Sequence, residues 1–427
     1  MKHIVFNLVF FFCIWGVACA QNVRPGWFVV HDLSENDAEF AESQEVAKKD
    51  LPPVKKRTKS QQIDIVENDM LPEIMPVQDK ERFAANDKDL YVSSKWLQYE
   101  FLENNNQNIV VSPLGFYVTS VMLANGVVDD SLLEFSNLFS VLRLAKTNQR
   151  LAEYLSKKQD TILLNVSLWG KMFSTRYQEM MKNQLSAEIW GIQGTTEQIN
   201  NWINARTSGI IEKVAPIEKI TENKIYVAGV ARFSDQLVQP FDEKDSQDAE
   251  FNNIDGTKSK IKMMYQASEV EYYSDSIMQA IRLYYASDNY VTILLPRENV
   301  DFRQFISGLK PHQLKPKFKQ KVWADLLLPK FNIEYSAINS VDFYGLLGVK
   351  KIFSEENFDF AKMVSFDDSF SIKNVYLKAK FGMEDTSNIS ADKKTEIPDE
   401  KIQFIANRPF VFVVNNGDFV GTFIKEN

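Results

Sequence analysis

From about residue 87 onward the apolar positions recur with periods that point to regular elements. Leu90, Trp96, Leu97, Phe101 and Leu102 follow near-helical spacing, and Asn104, Asn105 and Asn106 close that helix. Residues 109–111 read as a short buried strand, and Ser112 and Pro113 lead into an amphipathic helix over 116–125. Runs at 161–169, 225–233, 291–295 and 324–328 have the composition of strands, and 341–347 that of a helix. Residues 404–414 and 419–424 read as a closing hairpin over Asn415, Asn416 and Gly417. Helices dominate the first half and strands the second, which predicts an α+β fold with large mixed sheets. There is no internal repeat.

The stretch before residue 87 has a different texture. Residues 1–20 combine the basic start Met1-Lys2-His3, an apolar run over 4–17 and the small-residue close Ala18-Cys19-Ala20. That is the form of a signal peptide cleaved before Gln21, so the mature protein is expected to be secreted and extracellular. Residues 21–86 lack helix or strand period and carry five prolines among charge blocks, including Lys55-Lys56-Arg57. They read as a charged extension, either a solvated tail or a polyanion-binding or processing segment. Residues 87–427 form the folded domain.

Composition narrows the chemistry. The chain has 427 residues and a net charge of −8, which argues against a nucleic-acid partner. With no further long apolar stretch, no membrane span is expected. Both cysteines, Cys13 and Cys19, lie in the signal segment, so the mature chain has no disulfide and depends on a large packed core. His3 leaves with them; His31 and His312 remain. No HExxH, zinc-spaced Cys/His set, GxSxG elbow or glycine-rich phosphate loop occurs. No catalytic residue, metal or cofactor is therefore expected, and an enzyme is the disfavoured class.

Several segments, in order, resemble the serpins. They are residues 108–114 (NIVVSPL), the helix pattern Ile199-Asn200-x-Trp202-Ile203 with Thr207-x-Gly209-x-Ile211, and Leu328-Pro329-Lys330-Phe331-x-Ile333-Glu334. Leu347-Gly348-Val349 with Phe353-Ser354 and Asp359-Phe360 follows, then Ala406-Asn407-Arg408-Pro409-Phe410-x-Phe412 and Phe419-Val420-Gly421. The resemblance spans about residues 87–425. It implies a monomer with three β-sheets, eight to nine helices and an exposed reactive-centre loop between Ala379 and Arg408. In inhibitory serpins a protease cleaves that loop, the cut strand inserts into the main sheet, and the protease is trapped as an acyl-enzyme.

Insertion requires small, uncharged side chains on the buried face of the entering strand. The hinge here is Asp385, Thr386, Ser387, Asn388, Ile389, Ser390, Ala391, Asp392, Lys393 and Lys394. One alternating face carries Asp392 and Lys394 and the other Lys393, so both registers contain charge. Asn388-Ile389-Ser390 is a glycosylation sequon inside the hinge; Asn165-Val166-Ser167 is a second, on an expected strand. The loop is about three residues shorter than the family's, leaving the scissile position open among Pro398, Asp399, Glu400 and Lys401. Where the family carries a serine, histidine and tryptophan in its shutter and breach, this chain has Gly115, Leu377 and Leu237. Gly229 and Arg232 replace a further Asn and Tyr. These departures predict a non-inhibitory or impaired member with a binding, carrier or decoy role. The alternative is a working suicide inhibitor of an extracellular serine protease.

Two basic constellations point to a polyanion such as a glycosaminoglycan. Lys315, Lys317, Lys319 and Lys321 alternate as on one face of a strand. Arg143, Lys146 and Arg150 have helical spacing.

Overall fold

The computed structural model describes residues 85–139, 143–337, 340–355, 357–365, 369–387 and 398–426. They all belong to the second of the chain's two compact units, Pro72–Asn427. The expected signal peptide and nearly all of the expected extension fall outside the described residues, as do positions 388–394 of the expected hinge.

Helix α1 (Ala85–Glu103) buries Leu90, Trp96, Leu97 and Phe101 as their spacing predicts. Leu102 was expected on the same stripe; it is 59% exposed. Strand β1 (Ile109–Val111) is wholly buried and ends at Ser112, the N-cap of α2 (Pro113–Gly126). Ser112 Oγ accepts from Gly115 N at 3.1 Å and donates to Asp418 O at 2.9 Å. One hydroxyl thus starts the helix and ties it to the C-terminal turn. The helix starts three residues earlier than expected and is not amphipathic: every residue but Tyr117 is buried. It packs against other helices and both sheets, and a helix apolar all round belongs in such a core.

Four more helices follow among three strands: α3 (Asp129–Phe139), α4 (Leu144–Lys158), β2 (Ile162–Gly170), α5 (Thr175–Leu185), β3 (Glu188–Gly191), α6 (Glu197–Arg206) and β4 (Lys224–Phe233). The remainder is strand-rich. It comprises β5 (Gln247–Asn252), β6 (Lys258–Ser274), β7 (Met278–Tyr284), β8 (Tyr290–Pro296), α7 (Phe302–Ser307), β9 (Gln320–Pro329) and β10 (Phe331–Ser336). Then come α8 (Ser340–Leu346), β11 (Ser371–Met383), β12 (Ile402–Ile405), β13 (Phe410–Val414) and β14 (Phe419–Phe423).

Two hydrogen-bonded networks result. A five-stranded sheet runs β10-β11-β4-β2-β3, and a nine-stranded network runs β1-β14-β13-β8-β7-β6-β9-β12, with β5 also on β6. Strand β6 belongs to two parts of the larger network. Residues 258–272 pair with β5 and β9, and 271–274 with β7. Two of the three expected sheets are therefore continuous through one 17-residue strand.

The expected single strand over 404–414 is two strands at different places in this network. β12 pairs parallel with β9, and β13 lies between β8 and β14. The break falls at Asn407-Arg408-Pro409. Pro409 has no N–H for a ladder, and Arg408 donates from Nε and Nη2 to Pro296 O at 3.1 and 2.9 Å.

The family-like helix pattern has a local reason. Asn200 Oδ1 accepts from Val214 N and Ala215 N at 2.9 and 3.0 Å, and Thr207 Oγ1 accepts from Ile211 N at 3.0 Å. Gly209 supplies the left-handed turn at φ 79°. These bonds fold the segment after α6 back, so that Trp202, Ile199 and Ile203 cover Tyr226, Ala228 and Val230 of β4. With the main core behind it, β4 is buried on both faces.

Gly421 on β14 marks the closest approach in the core. A Cβ there would lie 2.2 Å from Ile109 O and 2.3 Å from the Phe412 ring. Gly421→Ala is expected to destabilise the protein by about 3 kcal/mol or more, read as a lower urea unfolding midpoint.

Candidate functional site: the loop anchors and the β4–β11 seam

The centre of the five-stranded sheet is a parallel pair. β11 meets β4 from Ser371↔Lys224 to Lys380↔Arg232, with one irregularity between Ile372 and Asn374. No strand lies between them. Their inward side chains, among them Val227, Ala231, Val375, Leu377 and Ala379, join the main core, and the outward face of β4 lies under α6.

Leu377 and Gly229 are direct partners across this seam. A Cβ on Gly229 would sit 2.8 Å from Leu377 Cδ2, so the leucine occupies the space a side chain at 229 would need. Beneath them Thr119 Oγ1 on α2 is buried without a hydrogen-bond partner. The two substitutions noted in the sequence therefore form one compensated apolar contact. Gly115 lies at the start of α2, where its N–H meets the Ser112 cap. At the open end of the seam Arg232 faces Lys380, a like-charge pair that weakens pairing there; Glu334 draws Lys380 aside at 3.2 Å. Leu237 lies beyond β4, bridged to Tyr285.

The loop that leaves β11 is held at its root. Asp385, the first hinge residue, has a side chain only 4% exposed and pairs with Lys330 Nζ at 2.7 Å. Ser246 Oγ donates to its second oxygen at 2.5 Å. Burial pushes the Asp385 carboxyl up, but the bonds from Lys330 and Ser246 outweigh it and leave it below the usual range. Thr386 N donates to Phe241 O at 2.9 Å, and its carbonyl accepts from Glu243 N at 3.1 Å. Ser387 is exposed.

The other end is anchored in the same way. Pro398, Asp399 and Glu400 are exposed, whereas Lys401 Nζ lies 2.7 Å from Asp325 Oδ1. Asp325 also accepts from Gln403 Nε2 at 2.7 Å and Tyr265 OH at 2.9 Å. The bond from Lys401, with those from Tyr265 and Gln403, holds the Asp325 carboxyl below its ordinary value despite desolvation. The partners Lys330 and Asp325 escaped the sequence reading, because they lie 55 and 76 residues from Asp385 and Lys401 and no local period links them.

The remaining candidates are dispersed. Asn165 lies on β2 with its Nδ2 buried and unpartnered, and Ser167 beside it is wholly buried. Lys315, Lys317, Lys319 and Lys321 are all exposed, but only Lys321 lies in β9. The other three occupy irregular chain before it, where Pro316 is buried and Phe318 packs under Arg282 at 4.5 Å. The turn-inward alternation preserves the outward basic row without a strand. Arg143 is the residue before α4; Lys146 and Arg150 are on it.

Two outcomes follow. Leu377→Ala and Gly229→Ala should each destabilise, and the double variant by less than their sum; a coupling of about 0.5–3 kcal/mol is expected from urea unfolding of the four proteins. Asp385 has a lowered folded pKa, so its stabilisation is present above the unfolded value of about 3.9 and is lost as pH falls through the folded value. Asp385→Ala should therefore lower the melting temperature at neutral pH and leave it unchanged at strongly acidic pH, measured by thermal melts across that range.

Comparison with known proteins accords with this architecture. A family model described as serpin (serine protease inhibitor) matches residues 96–423. Antithrombin-III of Bos taurus is 24% identical over 345 residues, covering 73% of this chain and 74% of its own. Among solved structures, native protease nexin-1 with heparin has a TM-score of 0.70 at 17% identity, covering 80% of this chain and 99% of its own. A thyroxine-binding globulin complexed with thyroxine has a TM-score of 0.69 at 17% identity, with the same coverage. The family model spans most of the chain and the fold is shared with these structures: the chain belongs to the serpin family, a family described as serine protease inhibitors, generally not enzymes themselves.

Proposed function

We propose that this serpin is a secreted, non-inhibitory or impaired member of its family that acts as a binding, carrier or decoy protein. One observation carries the reading. A strand entering between β4 and β11 would meet the main core on one side and the apolar layer under α6 on the other. The hinge offers charge to both, as Asp392 and Lys394 in one register and Lys393 in the other. Each unpaired buried ion costs on the order of several kcal/mol. A glycan on Asn388 would add an obstacle that cannot pass into a sheet. Asn165, with its amide buried, is not proposed to carry one. The exposed scissile region is Pro398, Asp399 and Glu400; Lys401 is engaged by Asp325.

A working suicide inhibitor is the second reading, favoured by the direct pairing of β4 and β11, which leaves the strand position between them unfilled. Its target would be an extracellular serine protease. For either reading, the exposed row Lys315, Lys317, Lys319 and Lys321 is proposed to attract a polyanion such as a glycosaminoglycan. The heparin in the protease nexin-1 structure supports that class.

Protein secreted from expressing cells should begin at Gln21 and carry sugar at Asn388 and not at Asn165, by peptide mass spectrometry. Incubated with trypsin-like and chymotrypsin-like proteases, it should yield loop-cleaved fragments on a denaturing gel and no covalent complex. Cleavage should leave the melting temperature nearly unchanged, and a variant combining Asn388→Gln with Asp392→Ala, Lys393→Ala and Lys394→Ala should let cleavage raise it. A covalent band at the summed mass of protein and protease would falsify the non-inhibitory reading.

A further inference from the structure

Away from the loop, α1, α2 and α4 surround a cavity of about 310 Å³ beside the turn that joins β13 to β14. Its apolar wall is made by Val92, Leu114, Phe139 and Leu151. Tyr117, also on the wall, meets Phe139 edge-on with ring centroids 5.0 Å apart. The volume is in the range of small-molecule sites, which are mostly apolar with a few convergent polar groups.

The polar groups come from α4 and the turn. Thr147, Arg150, Leu151 and Tyr154 share one face of α4 at helical spacing, and all four line the cavity. Asp418 closes the far side, and both of its carboxylate oxygens are engaged inside the protein. Tyr154 OH lies 2.8 and 2.7 Å from its two carboxylate oxygens, and Asn415 Nδ2 donates at 2.6 Å. Arg150 is exposed where the cavity opens, with Lys146 one turn before it. An apolar chamber thus ends in a positive rim, while its one carboxylate is turned to internal bonds.

We propose that this cavity binds an amphipathic organic anion, with a ring or short acyl body against Val92, Leu114, Phe139 and Leu151 and a carboxylate or sulfonate head on Arg150. A purely structural void would have no reason to favour charge. A polyanion held by the α4 surface would not need the chamber.

The test titrates the full chain with anilinonaphthalene sulfonate by fluorescence, in parallel with the uncharged phenylnaphthylamine. One saturable site is expected, tighter for the sulfonate. Arg150→Ala should weaken the sulfonate about tenfold, as for loss of a charged hydrogen bond, and leave the neutral dye unchanged. Thr147→Trp, which fills the chamber from α4, should abolish binding of both. Absence of saturable binding overturns the proposal. Equal sulfonate affinity in the wild type and Arg150→Ala, a surface change that leaves the core intact, also overturns it.

Discussion

The direct parallel pairing of β4 with β11 is the constraint on which the rest of the structure depends. Parallel strands cannot be joined by a tight turn, so both must be delivered by long connections and held from outside the pair. β10 holds β11 in an antiparallel ladder from Phe331↔Met383 to Ser336↔Lys378, and β2 holds β4 from Ile162↔Phe233 to Trp169↔Tyr226. The core behind the seam is α2, and its cover is α6. Both helices owe their position to polar side chains: Ser112 at the start of α2, Asn200 and Thr207 around α6. Separating the seam would expose apolar residues on two faces at once, and this explains why β4 is buried along almost its whole length.

The two ends of the loop are fixed by the same device, a carboxylate that accepts from a lysine and a second neutral donor. Asp385 takes Lys330 and Ser246; Asp325 takes Lys401, Tyr265 and Gln403. Exposed ion pairs contribute little, but a carboxylate with several donors and little solvent is held in one geometry. The chain therefore leaves β11 and enters β12 at tied points. Lys401 illustrates the consequence. A lysine in the scissile region looks available in the sequence, yet its ammonium is already committed to Asp325.

The elements were legible where one periodicity ruled. Residues 109–111, 225–233 and the closing hairpin over Asn415 could be read because alternation, or a short apolar run, coincided with turn residues. The α2 boundary was misplaced because a helix buried on all sides has no polar face to set its phase. Leu102 matches the spacing of α1 but lies on its solvent side, since near-helical spacing admits neighbours about 100° apart. The division of 404–414 depended on Arg408 reaching Pro296, a contact across 112 residues. Hinge positions 388–394 and the sequon at Asn388 lie outside the described residues; what the structure adds is the anchoring on either side. The site was illegible in its partners, because Lys330, Ser246, Asp325 and Thr119 acquire their roles only through strand pairing.

The replacements at the seam bear on the stability of the closed sheet. In a spring-loaded fold, the closed sheet must be less stable than the sheet with the loop inserted. Leu377 seated on Gly229 replaces polar side chains with an apolar contact, and apolar packing in a core is often neutral or better than a buried polar network. That contact is made in the closed sheet. On the proposed reading the hinge charges would act on the other state, at several kcal/mol for each ion that entered unpaired. The Arg232–Lys380 repulsion opposes pairing at the mouth of the seam, but Glu334 shares the charge and the contact is at the solvent end. At the seam itself the contacts hold the closed sheet through residues that the sheet brings into register, Leu377 over Gly229 above all.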